Sequence, residues 1–156
     1  RNSQMASGLV EYHLGKEDYK RRMSRNDLAF SAYEEQVLGF LLAYSSDFLR
    51  YLTQTDETVA SDEIAARVLE LPKPFVYADQ VAVLPEFQRK YVVTWLTERL
   101  EDEMRRRHIE TLYSAIPHTP WCNNASITLA TKLGHRHRED VTTHSGLTFG
   151  IYEKIL

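Results

Sequence analysis

The sequence predicts an α/β (α+β) fold: a mixed sheet with helices on both of its faces. Three observations predict it. Segments with the two-residue period of a strand alternate with segments of helical period. Hairpins stand at both ends of the chain, which an all-parallel sheet would not contain. The chain has 156 residues, 43% hydrophobic and 26% charged, the size and composition of one globular domain around a single sizeable core.

From Gly8 to about Met23 apolar residues fall on one side, which predicts a helix that Asn26-Asp27 breaks. Leu28 to Tyr33 reads as a strand and Glu34-Glu35-Gln36 as a short polar turn. Val37 to Tyr44 is a continuous apolar run, the pattern of a strand buried on both faces. The two strands predict a hairpin, although the turn lacks Asn-Gly chemistry. Ser45 to Lys73 is less regular. Within it Ser61 can cap a helix to about Leu71, with Ile64, Ala65, Val68 and Leu69 on one face. The Leu-Pro-Lys-Pro stretch from Leu71 to Pro74 ends that helix, because proline cannot continue one.

From Phe75 to Val83 the alternation of a strand is plain. It places Phe75, Tyr77, Asp79, Val81 and Val83 on one face and Val76, Ala78, Gln80 and Ala82 on the other. After Pro85 the longest helix is predicted from about Gln88 to Arg107, with Val92, Trp95, Leu96, Leu100 and Met104 as one buried stripe. Ile109 to Ile116 is the next strand. Asn123 to Leu133 is a short helix stopped by Gly134, and Leu147 to Ile155 is a closing strand.

Charge and motif content exclude several function classes. A net charge of −3 gives no broad reason to bind nucleic acid or an acidic membrane face. The basic runs Lys20-Arg21-Arg22 and Arg105-Arg106-Arg107 sit near predicted helix ends, where they complement the dipole and meet solvent. No apolar stretch approaches the roughly 20 residues that span a bilayer. The single cysteine, Cys122, forms no intramolecular disulfide and reads as inert packing. The chain opens on Arg1 without a signal-peptide pattern, so a cytoplasmic location is the default expectation. No Gly-x-Ser-x-Gly elbow, Cys-x-x-Cys pair or Walker loop supports a hydrolase, zinc ribbon or NTPase. His135, His137 and His144 lie within ten positions, and His108 and His118 flank a strand. They read as structural or surface groups, and no metal is expected.

The informative segment is the strand, then Pro85-Glu86-Phe87-Gln88-Arg89-Lys90, then the long helix. A helix that begins directly after a strand offers unpaired N–H groups and a positive dipole end, a place to hold a pyrophosphate. Arg89 and Lys90 add positive charge at that spot. The run from Asp79 to Lys90 closely resembles the fourth strand and acyl-CoA loop of GNAT acyltransferases. Asn123-Asn124-Ala125-Ser126-Ile127 followed by Lys132-Leu133-Gly134 resembles that family's Asn-x-x-Ala/Ser-Ile helix and its Leu-Gly end. Phe149 to Lys154 resembles its last strand, and Gly39-Phe40 falls where Gly-Phe is common there. The resemblance covers Leu28 to Leu156 and is strongest from Phe75 to Gly134.

The resemblance implies a single GNAT-like domain over residues 1–156, with a mostly antiparallel sheet and a splay between its central strands. Its usual first strand would then lie upstream of Arg1 or be absent. Acetyl-CoA is the implied co-substrate and an amine the implied acceptor. Backbone groups of Val81, Ala82 and Val83 would bind the pantetheine arm as an added strand, one of them polarising the thioester carbonyl. The pyrophosphate would sit over the amides of Gln88, Arg89, Lys90, Tyr91, Val92, Val93 and Thr94. Asn123 and Ser126 would meet the cofactor arm from the following helix. The family often pairs through sheet edges, which implies a homodimer.

Two departures stand against turnover. The family loop, Arg/Gln-x-x-Gly-x-Gly/Ala, matches at Gln88 and at the basic Lys90, but Tyr91 and Val93 occupy its glycine positions. Ala130 stands where many members carry a tyrosine that protonates the departing thiolate. For the base, Asp79 and Tyr77 are the candidates on the strand face shared with Val81 and Val83. Two functions therefore follow: an acetyl-CoA-dependent N-acyltransferase, or a GNAT-like CoA-binding or regulatory module without turnover.

Overall fold

A computed structural model of the chain describes residues 15–26, 28–88 and 91–156. Helix α1 (Lys16–Ser24) leads into the hairpin of β1 (Ala29–Tyr33) and β2 (Val37–Ser45). Three helices follow, α2 (Ser46–Thr55), α3 (Glu57–Ala60) and α4 (Glu63–Leu69), then β3 (Phe75–Val83). A 3₁₀ turn (Pro85–Phe87), α5 (Val92–Arg106), β4 (Thr111–Thr119), α6 (Asn124–Lys132), β5 (Arg136–Thr142) and β6 (Thr148–Ile155) complete the chain.

The strands form one sheet in the order β1-β2-β3-β4-β6-β5. Among the described residues only the β3–β4 pair is parallel; the other neighbouring pairs are antiparallel. The parallel pair needs a crossover, and α5 supplies it. Leu96, Leu100 and Met104 of α5 are buried with Leu41, Ala43 and Val76 on one face of the sheet. On the other face Leu49, Leu52, Val59, Ile64 and Val68 of α2 to α4 pack with Leu42, Tyr44, Phe75 and Tyr77. A smaller cluster joins Ala130 and Ile127 of α6 to Ile116 and Tyr152. Helices thus cover both faces, as the sequence predicts.

The predicted strands stand close to their predicted bounds, and β3 runs over the predicted Phe75 to Val83. Gly134 takes the left-handed φ of 88° just past α6, a conformation that disfavours any side chain. Gly39 lets β2 approach β3 closely: a Cβ there would lie 2.7 Å from the Ala82 carbonyl oxygen.

Four expectations need correction. The irregular stretch after Ser45 holds α2, whose N-cap is the Ser45 hydroxyl accepting from the Phe48 amide at 3.2 Å. The α4 cap is Asp62 rather than Ser61, because its carboxylate accepts from both Ile64 and Ala65. Helix α5 starts at Val92 rather than Gln88, since Pro85 nucleates a 3₁₀ turn first. Trp95 is 45% exposed and stands outside the α5 stripe. The part of the first predicted helix before Gly15 lies outside the described residues. Among the described residues no helix is long and apolar enough to cross a membrane.

Candidate functional site

The site begins where β3 and β4 part. They pair only from Phe75 opposite Thr111 to Ala78 opposite Ser114. Both strands run on, to Val83 and to Thr119, without bonding to each other. On its other edge β3 stays paired with β2 as far as Val83 opposite Gly39. The register there slips by one residue: Ala43 faces Ala78 and Leu42 faces Gln80, which leaves Asp79 as the extra residue of a bulge.

Strand geometry decides which groups face the splay. The Leu84 amide donates to the Leu38 carbonyl at 2.8 Å. Backbone groups alternate in direction along a strand, so Gln80 and Ala82 also turn theirs to β2, and Val81 and Val83 turn theirs to the splay. Of the expected trio, Ala82 is therefore engaged with β2, while the Val81 and Val83 edges have no backbone partner among the described residues. Val81 is 46% exposed, as an opened edge requires.

Below the splay the chain turns into α5. The Gln88 amide already donates to the Pro85 carbonyl, and the first α5 bond runs from the Trp95 amide to the Tyr91 carbonyl at 2.8 Å. The amides of Val92, Val93 and Thr94 therefore have no partner inside the helix. No acidic side chain stands in that first turn. The helix start thus lies four residues later than Gln88. Tyr91, the N-cap, is 87% exposed, so its side chain points to solvent and not into the core. Arg89 and Lys90 lie outside the described residues.

Asp79 does not share a face with Val81 and Val83. The bulge reverses the alternation, and Val83 packs with Val76 and Ala78 against the α5 side. The Asp79 carboxylate turns to the opposite side, where the Tyr44 hydroxyl donates to it at 3.1 Å and Arg22 Nη1 approaches to 3.6 Å. Its side chain is 7% exposed. Arg22, fully buried, also donates through Nε to Asp56 at 3.1 Å. Burial pulls the Asp56 carboxyl upwards, but hydrogen bonding and charge from Arg22 bring it below its ordinary value. Burial, reinforced by the Asp79 charge, pushes the Tyr44 hydroxyl far above its ordinary range, so it remains a proton donor. Beside the bulge the Tyr19 hydroxyl donates to Gln80 at 2.8 Å. Tyr77 is 5% exposed inside the core with Phe75 and Tyr113, which gives it a packing role.

Sequence reasoning missed Arg22, Tyr44 and Asp56. Arg22 belongs to a basic run that looked like a solvated helix end, and nothing local marks it as the buried member. On the far side of the splay, Asn123 caps α6: its side-chain oxygen accepts from the Ser126 amide at 3.1 Å. That oxygen holds the helix, so a role toward a cofactor would fall to the side-chain amide. Ala130 is buried against Ile116 and Tyr152 and offers no proton. Cys122 is exposed, with Sγ donating to Asn124, which sets aside the packing expected of it. His144 pairs with Glu63, and His135 is buried, its pKa lowered to about 4 by burial and then by the Lys154 charge. His118 and His137 come together with Asp140.

Residues 4–135 match the sequence profile of the Acetyltransferase (GNAT) family. The fold is similar to that of ribosomal-protein-S18-alanine N-acetyltransferase from Escherichia coli, with a TM-score of 0.62 and 16% identity over 93% of this chain and 79% of that one. Chaetomium thermophilum Naa20, solved with a bisubstrate analogue, gives 0.68 and 14% over 93% and 75%. The Drosophila melanogaster polyamine N-acetyltransferase gives 0.65 and 13% over 97% and 87%. No curated protein sequence matches the chain significantly.

Proposed function

Because the chain belongs to the GNAT acetyltransferase family, we propose that it transfers an acetyl group from acetyl-CoA to an amine by direct attack on the thioester. The observation that carries this reading is the splay. Among the described residues, Val81 and Val83 offer N–H and C=O groups along an edge that β4 does not pair, and that edge leads, within ten residues, to the first turn of α5, whose amides have no partner inside the helix. A pantetheine arm laid along that edge satisfies its backbone groups, and a pyrophosphate at the helix start meets the amides of Val92, Val93 and Thr94.

In this reading the acceptor nitrogen attacks the thioester carbon while an amide of Val81 or Val83 donates to the carbonyl oxygen. A donor of that kind is typically worth about 3–4 kcal/mol as the oxygen becomes negative. The C–S bond then breaks, and CoA leaves as a thiolate. With a thiol pKa of about 8.5 it departs without a dedicated acid, which fits Ala130 at the donor position. The proton lost by the amine passes to water. Asp79 acts here as a positioning residue: held by Arg22 and Tyr44, it fixes the bulge from the side opposite Val81 and Val83.

A thermal shift with acetyl-CoA tests the reading. Ligand at about 100 times its Kd adds roughly 2.7 kcal/mol, a rise on the order of 5–10 °C for a domain of this size. No shift at millimolar acetyl-CoA sinks it. A shift with no acetyl transfer to any primary amine in a screen favours the second reading, a CoA-binding module without turnover, to which the exposed Tyr91 and the buried Ala130 lend support.

A further inference from the structure

We propose that His118, His137 and Asp140 form a binding site for a divalent first-row transition metal such as Zn²⁺, a site independent of the acyl-transfer reading. His118 Nδ1 and His137 Nε2 converge on one carboxylate oxygen, Asp140 Oδ1, at 3.0 and 2.8 Å. One atom from each residue lies within 4.8 Å of the others. Tetrahedral zinc with bonds of about 2.0 Å separates its ligand atoms by about 3.3 Å, so the two nitrogen–oxygen pairs need to open by only a few tenths of an ångström. Two imidazoles and a carboxylate are a donor set that suits zinc and its first-row neighbours.

Three features of the backbone build this meeting. His137 and Asp140 are three residues apart, and in a regular strand that spacing puts them on opposite faces. The β5–β6 register slips between His137 and Glu139, and the extra residue, Arg138, returns His137 and Asp140 to one face. His118 is likewise the extra residue of a register slip, between Pro117 and Thr119 of β4. On β6 beneath it stands Gly150, where a Cβ would fall inside the His118 imidazole. No residue with a side chain leaves His118 where it is.

The surroundings suit a metal further. The other His118 nitrogen, Nε2, lies 3.0 Å from the Tyr152 hydroxyl, an outer partner that orients a ligating imidazole and fixes its tautomer. The His118 and His137 rings stack at 5.5 Å and 28°, which holds the two imidazoles side by side. The His137 and Asp140 side chains are 44% and 53% exposed, which leaves an approach from solvent and a fourth position for water. The second histidine–carboxylate pair, His144 with Glu63, has no third donor among the described residues and serves as a control.

The test is calorimetric titration of the untagged full chain with Zn²⁺, accompanied by the visible absorption of the Co²⁺ form. The expected result is one saturable equivalent. His137→Ala and Asp140→Ala should each weaken it by at least about 100-fold, the upper end of what losing an outer partner alone costs. Tyr152→Phe should weaken it by roughly 10-fold, as the loss of an outer partner does. His144→Ala should leave it unchanged. No saturable equivalent, or an equivalent that survives both His137→Ala and Asp140→Ala with the variants folded by circular dichroism, overturns the proposal.

Discussion

Phe75–Ala78 and Asp79–Val83 are consecutive stretches of β3, bonded on two edges in the first and on one in the second. Phe75 and Val76 are fully buried, whereas Val81 is 46% exposed. The first stretch fixes where the strand lies, and the second stays paired to β2 alone, with its β4-side backbone groups available among the described residues. A bulge at Asp79 marks the change, and the buried Arg22–Asp56–Asp79–Tyr44 cluster braces it from one side. An edge that can take an added strand is stable here because its neighbour in the same strand is fully packed.

The largest expected effect separates the two stretches directly. Phe75→Ala should cost about 3–5 kcal/mol in urea unfolding, as truncation of a buried phenylalanine does. Val81→Ala should stay within about 0.5 kcal/mol, because its side chain has little packing to lose. Equal costs for the two would break the comparison.

The brace is the next test. Arg22→Met should cost about 3–5 kcal/mol at neutral pH, because it takes the buried cation from the Asp79 and Asp56 carboxylates and leaves Asp56 only the more distant Arg21 at 4.0 Å. The sign of the pH dependence follows from Asp56, whose folded pKa lies below its unfolded value. Its contribution is fully present above about pH 4 and is lost as pH falls through the folded value. The gap between Arg22→Met and the parent should therefore narrow in acid. A gap that stays constant from pH 7 to pH 3 would mean that Arg22 acts by packing alone.

Asp79→Asn probes the bulge itself. Removing the charge from an acceptor of Arg22 and Tyr44 should cost about 1.5–3 kcal/mol and weaken CoA binding, with turnover at saturation changed less than tenfold. A general base behaves otherwise: turnover would fall by roughly 10²–10⁴, the acidic limb of the pH–rate profile would move, and CoA affinity would hold. That pattern would restore the base expected from the sequence and remove Asp79 from the brace.

Alternation and caps are local, and they carried most of the fold. The bounds of β3, the end of α6 at Gly134 and the splay implied by the family motifs were all legible. The bulge was not, because Val81 and Val83 continue the alternating pattern across it and only the partner strand shows the slip. The same blindness hid the meeting of His137 with Asp140. Arg22 and Asp56 are 34 residues apart and join through the tertiary fold, which no periodicity records. The α2 helix did leave a signal: Ser45 as cap, then Phe48, Leu49 and Leu52 at helical spacing. The five-residue apolar approach to Ser45 masked it by extending the strand pattern to the cap itself.

The smallest expected effect lies just past the open stretch of β3, at Tyr91. A glycine there in the middle of a helix would cost about 1 kcal/mol. Tyr91 is instead the N-cap of α5, with φ −68° and ψ 7°, no side-chain cap bond and 87% of its surface exposed. Glycine ranks above apolar and aromatic residues at an N-cap, so Tyr91→Gly should change stability by less than about 0.5 kcal/mol. If the amides of Val92, Val93 and Thr94 hold a pyrophosphate, a missing Cβ beside them eases its approach. CoA binding in Tyr91→Gly should then be unchanged or tighter, by at most a few-fold, in calorimetric titration. A tenfold loss would mean that the tyrosine ring itself contacts the cofactor. The loop would then bind through a side chain where the family uses bare backbone, and the contrast between a packed first stretch and an open second one would end at Val83 instead of reaching α5.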